Sequence, residues 1–372
     1  MNIFDNTILG IYKRTLSSEP WSPPGVSLIA ARKMWPTTRG AGAVVAVLDT
    51  GIDYNHSDLK NNVIDGKSFI SSEKDYMDEH GHGTHVAGTI AANGKLLGVA
   101  PEAKLLAVKV LDRNGSGSYT GIAQGLDWVR TWRGPNHEKV QVVNMSLGGT
   151  MPEATLHRAI TKAVQAGITI VCAAGNSGDG NKQTREISYP AYYPETLAVG
   201  AVDLQSGAAN FSNSNDRIDV VAPGVDTYST YPKNRYVKLS GTSMATPHLS
   251  GAAALIRARW HKRFQTNPLE ADVRNLVQYM SIDLGDAGYD ELYGYGLFSF
   301  NLNGGKDIVL IVGSNQYYVN GKLKMLQNAP LRYNEAVYAP VAEISSVMNC
   351  DCTLIPPDGS PENKQGQVQI WN

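Results

Sequence analysis

Ala43-Val44-Val45-Ala46-Val47-Leu48, followed at once by Asp49-Thr50-Gly51, is the stretch that decides the fold. An unbroken apolar run, rich in β-branched residues and without polar alternation, reads as a strand buried on both faces, the kind found in parallel sheets covered by helices. The same texture returns at 103–110, 140–145, 168–172 and 196–200. Between these runs lie segments of helical period at 85–92, 121–130 and 153–166. In the last of them Ala154, Ile160, Ala163 and Val164 share one stripe, and Gly167 stands where a helix places its C′ glycine. Strands and helices in alternation predict an α/β fold, a doubly wound, mostly parallel sheet flanked by helices.

Outside this pattern lie two ends. Residues 1–25 include the Pro-rich Ser18-Glu19-Pro20-Trp21-Ser22-Pro23-Pro24-Gly25 and read as an N-terminal extension, with the α/β domain following at 26–303. After Leu302-Asn303-Gly304-Gly305 short β-prone runs take over, and Asn320-Gly321 between two of them is a type I′ hairpin signal. A small α+β module is expected at 306–372. The 372 residues leave room for about two domains. Lys plus Arg number 33 against 34 Asp plus Glu, so no broad field draws the chain to nucleic acid or an anionic membrane. No run approaches the ~18 apolar residues of a membrane span. Cys172, Cys350 and Cys352 cannot form a disulfide framework, and a reducing compartment fits them best. Met1 to Gly10 has no basic region or apolar run of a secretory signal, so the expected location is the cytoplasm.

Chemistry-bearing residues fall in three places. Asp49 follows the first buried strand, and carboxyl ends of strands form the ligand rim of a doubly wound sheet. Taken alone it reads first as a turn cap. His80-Gly81-His82-Gly83-Thr84-His85 suggests zinc, but His82 and His85 are three apart with no carboxylate between them, unlike the i, i+4 helical zinc motif. Gly241-Thr242-Ser243-Met244-Ala245-Thr246-Pro247-His248 precedes a run of small residues that suits a buried helix, with Pro247 near its first turn. Ser243 then sits at a helix N-terminus, where free N–H groups and the dipole favour an oxyanion; a plain N-cap is the competing reading.

Asp49, His82 and Ser243 follow each other in the order of the subtilisin triad. Val47-Leu48-Asp49-Thr50-Gly51-Ile52-Asp53, His82-Gly83-Thr84-His85-Val86-Ala87-Gly88-Thr89 and Gly241-Thr242-Ser243-Met244-Ala245 resemble the three motifs of the subtilisin-like serine proteases, peptidase family S8. Over about 26–300 the chain looks most like the bacterial intracellular members. That resemblance implies an endopeptidase acting on protein or peptide substrates, with Ser243 as nucleophile, His82 as base and Asp49 as its partner. By the same resemblance Ala173-Ala174-Gly175-Asn176 supplies a wall of the P1 pocket and, in Asn176, an oxyanion donor. Ser146-Leu147-Gly148 and Gly115-Ser116-Gly117 are the implied edges for an extended peptide, and the small residues imply broad specificity.

No cofactor is implied for catalysis. Structural calcium is common in the family, yet Asn93-Gly94-Lys95-Leu96-Leu97 is short and carries a cation, so the usual tight site is expected to be missing, although Asp58 matches one family ligand. The resemblance leaves room for a homodimer. Leu9-Gly10-Ile11-Tyr12-Lys13 lies where intracellular members carry a blocking segment, but lacks its proline; the extension is read as an inhibitory arm. The last module faintly resembles the N-terminal-like domain of copper amine oxidases, through Val319-Asn320-Gly321-Lys322, Ala329-Pro330 and 337–344, which leaves export open. A catalytically silent binding protein and a metal-dependent hydrolase are the rival readings, separated by a serine-directed phosphonate and by a chelator.

Overall fold

The structure, a computed structural model, describes residues 20–301 and, beyond them, the backbone of 308–310, 316–319, 322–325, 331–333, 336–338, 351–355 and 367–371. The extension up to residue 19, the turn Asn320-Gly321 and Cys350 lie outside the described residues. The chain divides into two compact units at Asn301/Leu302.

Along the first unit the strands are β1 (Val44–Asp49), β2 (Val63–Ser68), β3 (Lys104–Lys109), β4 (Val142–Met145), β5 (Thr169–Ala173), β6 (Leu197–Val202), β7 (Val220–Pro223), β8 (Thr227–Tyr231), β9 (Arg235–Leu239), β10 (Ser281–Ile282) and β11 (Leu297–Phe298). The helices are α1 (Pro24–Leu28), α2 (His82–Ala91), α3 (Tyr119–Thr131), α4 (Ala154–Gln165), α5 (Thr242–Phe264) and α6 (Glu270–Tyr279). Nine strands form one sheet in the order β10-β11-β7-β6-β5-β4-β1-β3-β2, while β8 and β9 pair separately as a hairpin. Within the sheet only β10–β11 is antiparallel. As the unbroken apolar runs required, β1, β4, β5 and β6 are buried along their whole length, and so is β7, which was not among those runs.

At β1 the strand order turns back, with β3 and β2 on one side and β4 to β7 on the other. In such a sheet the carboxyl ends of the strands flanking the reversal open a crevice. Asp49 is the last residue of β1, and Ser146 follows the last residue of β4. One face of the sheet is covered by α3 and α4, whose Ile122, Leu126, Val129, Leu156 and Ile160 pack with Leu48, Val108, Val143 and Ile170. Each such buried aliphatic side chain contributes about 1.5–3 kcal/mol relative to exposure. On the opposite face α5, buried from Thr242 to Ala258, packs on α2 and on β4 to β7.

Local chemistry sets the element ends. α4 begins at Ala154 because the Glu153 carboxylate caps it, accepting from Leu156 N at 2.6 Å. Its buried stripe is therefore Leu156, Ala159, Ile160 and Ala163; Ala154, expected on that stripe, is exposed in the first turn, and Val164 is half-buried. Gly167 ends the helix at φ 85°, in the left-handed region expected of it. The Pro-rich stretch is built into the unit by its far end. Trp21 N donates to Lys95 O at 3.0 Å and Leu97 N to Trp21 O at 2.9 Å, and Pro24 then opens α1. In the second unit, Gln316–Val319 and Lys322–Met325 pair antiparallel with Val319 opposite Lys322.

Candidate active site

Asp49 and His82 meet in the crevice. The Asp49 carboxylate accepts from His82 Nδ1 at 2.7 Å and from Thr50 N at 2.7 Å, with both side chains almost fully buried. That bond fixes the imidazole with its proton on Nδ1 and leaves Nε2 as the free base; Nε2 has no hydrogen-bond partner. Gly83 must be glycine here, because a Cβ would lie 2.1 Å from Gly51 O and 3.1 Å from Asp49. Beneath the pair, fully buried Lys109 donates to Thr50 O at 2.6 Å and forms an ion pair with Glu73 at 2.9 Å. Burial raises the Glu73 carboxyl, but bonds from Lys109 and Arg113 outweigh it and hold the group below its ordinary value.

His82 is the first residue of α2, and the amides of that turn are all claimed. His82 N donates to His80 Nδ1 at 3.4 Å, Gly83 N to Thr50 Oγ1 at 3.0 Å and Thr84 N to Asp78 Oδ2 at 2.9 Å. Asp78, buried, also accepts from Thr50 Oγ1, His80 N, Gly81 N and Thr84 Oγ1, at 2.6–2.9 Å. A carboxylate so placed caps the helix and complements its dipole. The sequence reading missed Asp78, which lies four residues ahead of the helix start and not at the N-cap position where the sequence signal is read.

The three histidines do not converge on a metal. His85 Nε2 donates to Thr227 O at 3.0 Å and Val237 O at 3.3 Å, tying α2 to the β8–β9 hairpin. Burial, then the nearby His82, pushes His85 down to about 3. No group of three His, Cys, Asp or Glu among the described residues could hold a metal ion. The Asp58 carboxylate does not fit calcium either. It accepts from Lys95 N at 3.0 Å, Leu96 N at 2.9 Å and Tyr236 Oη at 2.8 Å. Donors, not oxygen ligands, surround it, so the short loop at 93–97 is held by the carboxylate directly.

Ser243 is the second residue of α5, so its backbone N–H is one of the orphan amides of the first turn. Its hydroxyl donates to Ser146 O at 3.2 Å. Asn176 Oδ1 accepts from Thr242 N at 2.9 Å and Thr242 Oγ1 at 2.8 Å. A backbone N–H can only donate, so the amide is oriented with its oxygen on Thr242 and its NH₂ directed away. Asn213 secures the same loop: it donates to Ala174 O at 2.9 Å and accepts from Ser177 N at 2.7 Å. Gly175, at φ 117°, would place a Cβ 2.2 Å from Asn213. Thr242 lies inside the serine motif, but its hold on Asn176, 66 positions away, and that of Asn213 on Ser177, 36 positions away, act through space and gave no sequence signal.

Among the other expected site residues, Ala173 ends β5, and Ala174 and Gly175 follow it fully buried. Ser146, Leu147 and Gly148 continue β4, and Gly149 pairs both ways with Tyr189 at 2.8 and 2.9 Å. Gly115, Ser116 and Gly117 lie in the loop after β3, where Asp112 accepts from Ser116 N at 3.0 Å. Because β4, β1 and β3 are parallel neighbours, these segments leave the sheet on the edge that carries Asp49.

A doubly wound, mostly parallel sheet flanked by helices is the fold of the subtilisin-like serine proteases. Residues 40–296 match the model of the subtilase family, peptidase family S8, and the chain belongs to that family. Among its relatives, an intracellular serine protease of Paenibacillus polymyxa is 45% identical over 74% of this chain and 84% of its own length. The major intracellular serine protease of Bacillus subtilis is 48% identical over 68% of this chain and 80% of its own. Subtilisin DY of Bacillus licheniformis is 45% identical over 74% and 96%.

Proposed function

We propose that the chain is a serine endopeptidase in which Asp49, His82 and Ser243 form the triad. The observation that carries this reading is the buried 2.7 Å bond between Asp49 and His82, which leaves the other imidazole nitrogen without a partner. Ser243 turns from Ser146 O toward His82 Nε2 and loses its proton to it as Oγ bonds the scissile carbonyl carbon. The oxygen of that carbonyl takes the negative charge and is held by Asn176 NH₂ and Ser243 N–H. His82 passes its proton to the leaving amine as the C–N bond breaks. Water then attacks the acyl-enzyme with His82 again as base, releasing the acid and restoring Ser243.

An extended peptide pairs with 146–148 on one side and 115–117 on the other, and 173–175 line a P1 pocket without a charged side chain. The resulting specificity is broad. Two relatives are called intracellular, which supports action in the cytoplasm; no helix among the described residues is long and apolar enough to cross a membrane. Hydrolysis of a chromogenic peptide anilide tests the reading. Ser243→Ala is expected to lower kcat roughly 10⁶-fold, the loss measured in subtilisin itself; activity that survives the substitution overturns it. The extension acts as a blocking arm, so trimming it as far as Pro20, short of the Trp21 and α1 contacts, raises activity; equal activity with and without it refutes that role.

A further inference from the structure

Pro247 is the sixth residue of α5 and has no N–H, so the carbonyl four residues back, that of Ser243, lacks its helical donor. The vacancy is filled from the sheet: Ser146 Oγ donates to Ser243 O at 2.8 Å. Its single proton thus committed, Ser146 Oγ accepts from Asn144 Nδ2 at 3.0 Å. Asn144 Oδ1 in turn accepts from Ser250 Oγ at 2.8 Å. Every donor in this chain has one direction available, and Ser243, Ser146, Asn144 and Ser250 are all 0% exposed. Ser250 lies seven residues beyond Ser243, two turns on and on the same helix face. The bonds therefore close a ring that grips α5 against β4 at two levels. Ser146 is engaged twice, its hydroxyl on the nucleophile's backbone and its carbonyl on the nucleophile's hydroxyl.

We infer that Ser250, acting through Asn144 and Ser146, is a positioning residue for the nucleophile: its hydroxyl fixes the Asn144 amide, and the amide fixes the Ser146 hydroxyl that holds the Ser243 carbonyl in place of the helix bond Pro247 removes. The inference rests on Ser243 being the nucleophile. Without the Ser250 hydroxyl, Asn144 can turn over and present its oxygen to Ser146, whose proton then leaves Ser243. The first turn of α5 loosens relative to His82 and to Asn176. Substrate edges on 146–148 and 115–117 keep their backbone groups, so binding is spared while the chemical step is slowed.

Steady-state hydrolysis of a peptide anilide by the full chain, with thermal melting alongside, tests this in wild type, Ser250→Ala and Ser250→Thr. For Ser250→Ala the expected result is a kcat lowered about tenfold, short of the ~10² that a 1 Å misplacement can cost, with KM within twofold. Ser250→Thr keeps the hydroxyl and recovers most of kcat. A folded Ser250→Ala with wild-type kcat overturns the inference, as does a folded Ser250→Thr as slow as Ser250→Ala. If Ser250→Ala is not recovered folded, Ser250→Cys replaces it, with its weak donor giving an intermediate kcat; an unchanged kcat there overturns the inference too. An active wild type indifferent to Ser250 sinks the positioning role alone, whereas a wild type that neither hydrolyses the anilide nor takes a phosphonate on Ser243 sinks the triad with it.

Discussion

Asn176 shows how one residue's chemistry depends on a neighbour from a different motif, Thr242 beside Ser243. Its amide can donate to an oxyanion only because Thr242 occupies its oxygen with two donors. Asn176→Ala is expected to lower kcat about 10²–10³-fold with little change in KM, the magnitude found for the matching donor in subtilisin itself. A proportionate rise in KM instead would show that the amide binds substrate and not the transition state. At this scale Asp49, His82, Ser243 and Asn176 were legible because each lies in a short motif at the end of a strand or the start of a helix. Asn213, Asn144 and the grip of Thr242 on Asn176 were not, since that work is done by contacts between distant segments that no local pattern encodes.

The histidine helix is held by its cap as much as by its packing. Asp78→Ala leaves several buried N–H and O–H groups around 80–84 without an acceptor, each worth about 1–3 kcal/mol. Denaturant unfolding should show a loss of about 3 kcal/mol or more, while a change under ~1 kcal/mol would mean that water replaces the carboxylate at no cost. The loop at 93–97 makes the same point with a different partner. Since Asp58 holds it by direct bonds, excess chelator is expected to leave the melting temperature unchanged, and a drop of several degrees would reveal a cation at this loop or elsewhere. The strands β1 and β3 to β6 and the helices α2 to α5 were legible in kind, because strand and helix periods differ so plainly, whereas α1, α6, β2 and β7 to β11 were not read. Their ends were less so: α2 starts at His82 and not at 85, because its cap lies in the side chain of Asp78, outside the apolar period.

Across the whole molecule, two fully buried neutral histidines couple folding to pH. Burial, with His82 nearby, pushes His85 down to about 3, and burial pushes His248 down to about 4. In the unfolded chain both take up protons near the ordinary 6.5, so the unfolded state binds more protons as pH falls below that value. Their stabilising effect is complete above pH ~6.5 and is lost downward, by about 1.4 kcal/mol per histidine per pH unit, until the folded values are reached. His248→Gln, which can still donate to Met244 O, should flatten the stability slope between about pH 6 and 4 by about one proton; an identical slope would contradict the buried-neutral assignment. Five apolar runs announced five of the nine strands but not their order; that order, with its reversal at β1, brings Asp49, Ser146 and the loop after β3 to one edge. The central claim is that Ser243 is a nucleophile activated by His82. Intact-mass and peptide mapping after a serine-directed phosphonate, in wild type and His82→Ala, test it most directly: the account predicts one adduct on Ser243 in wild type and markedly slowed labelling in His82→Ala, whereas no adduct, or equal labelling rates, would contradict it.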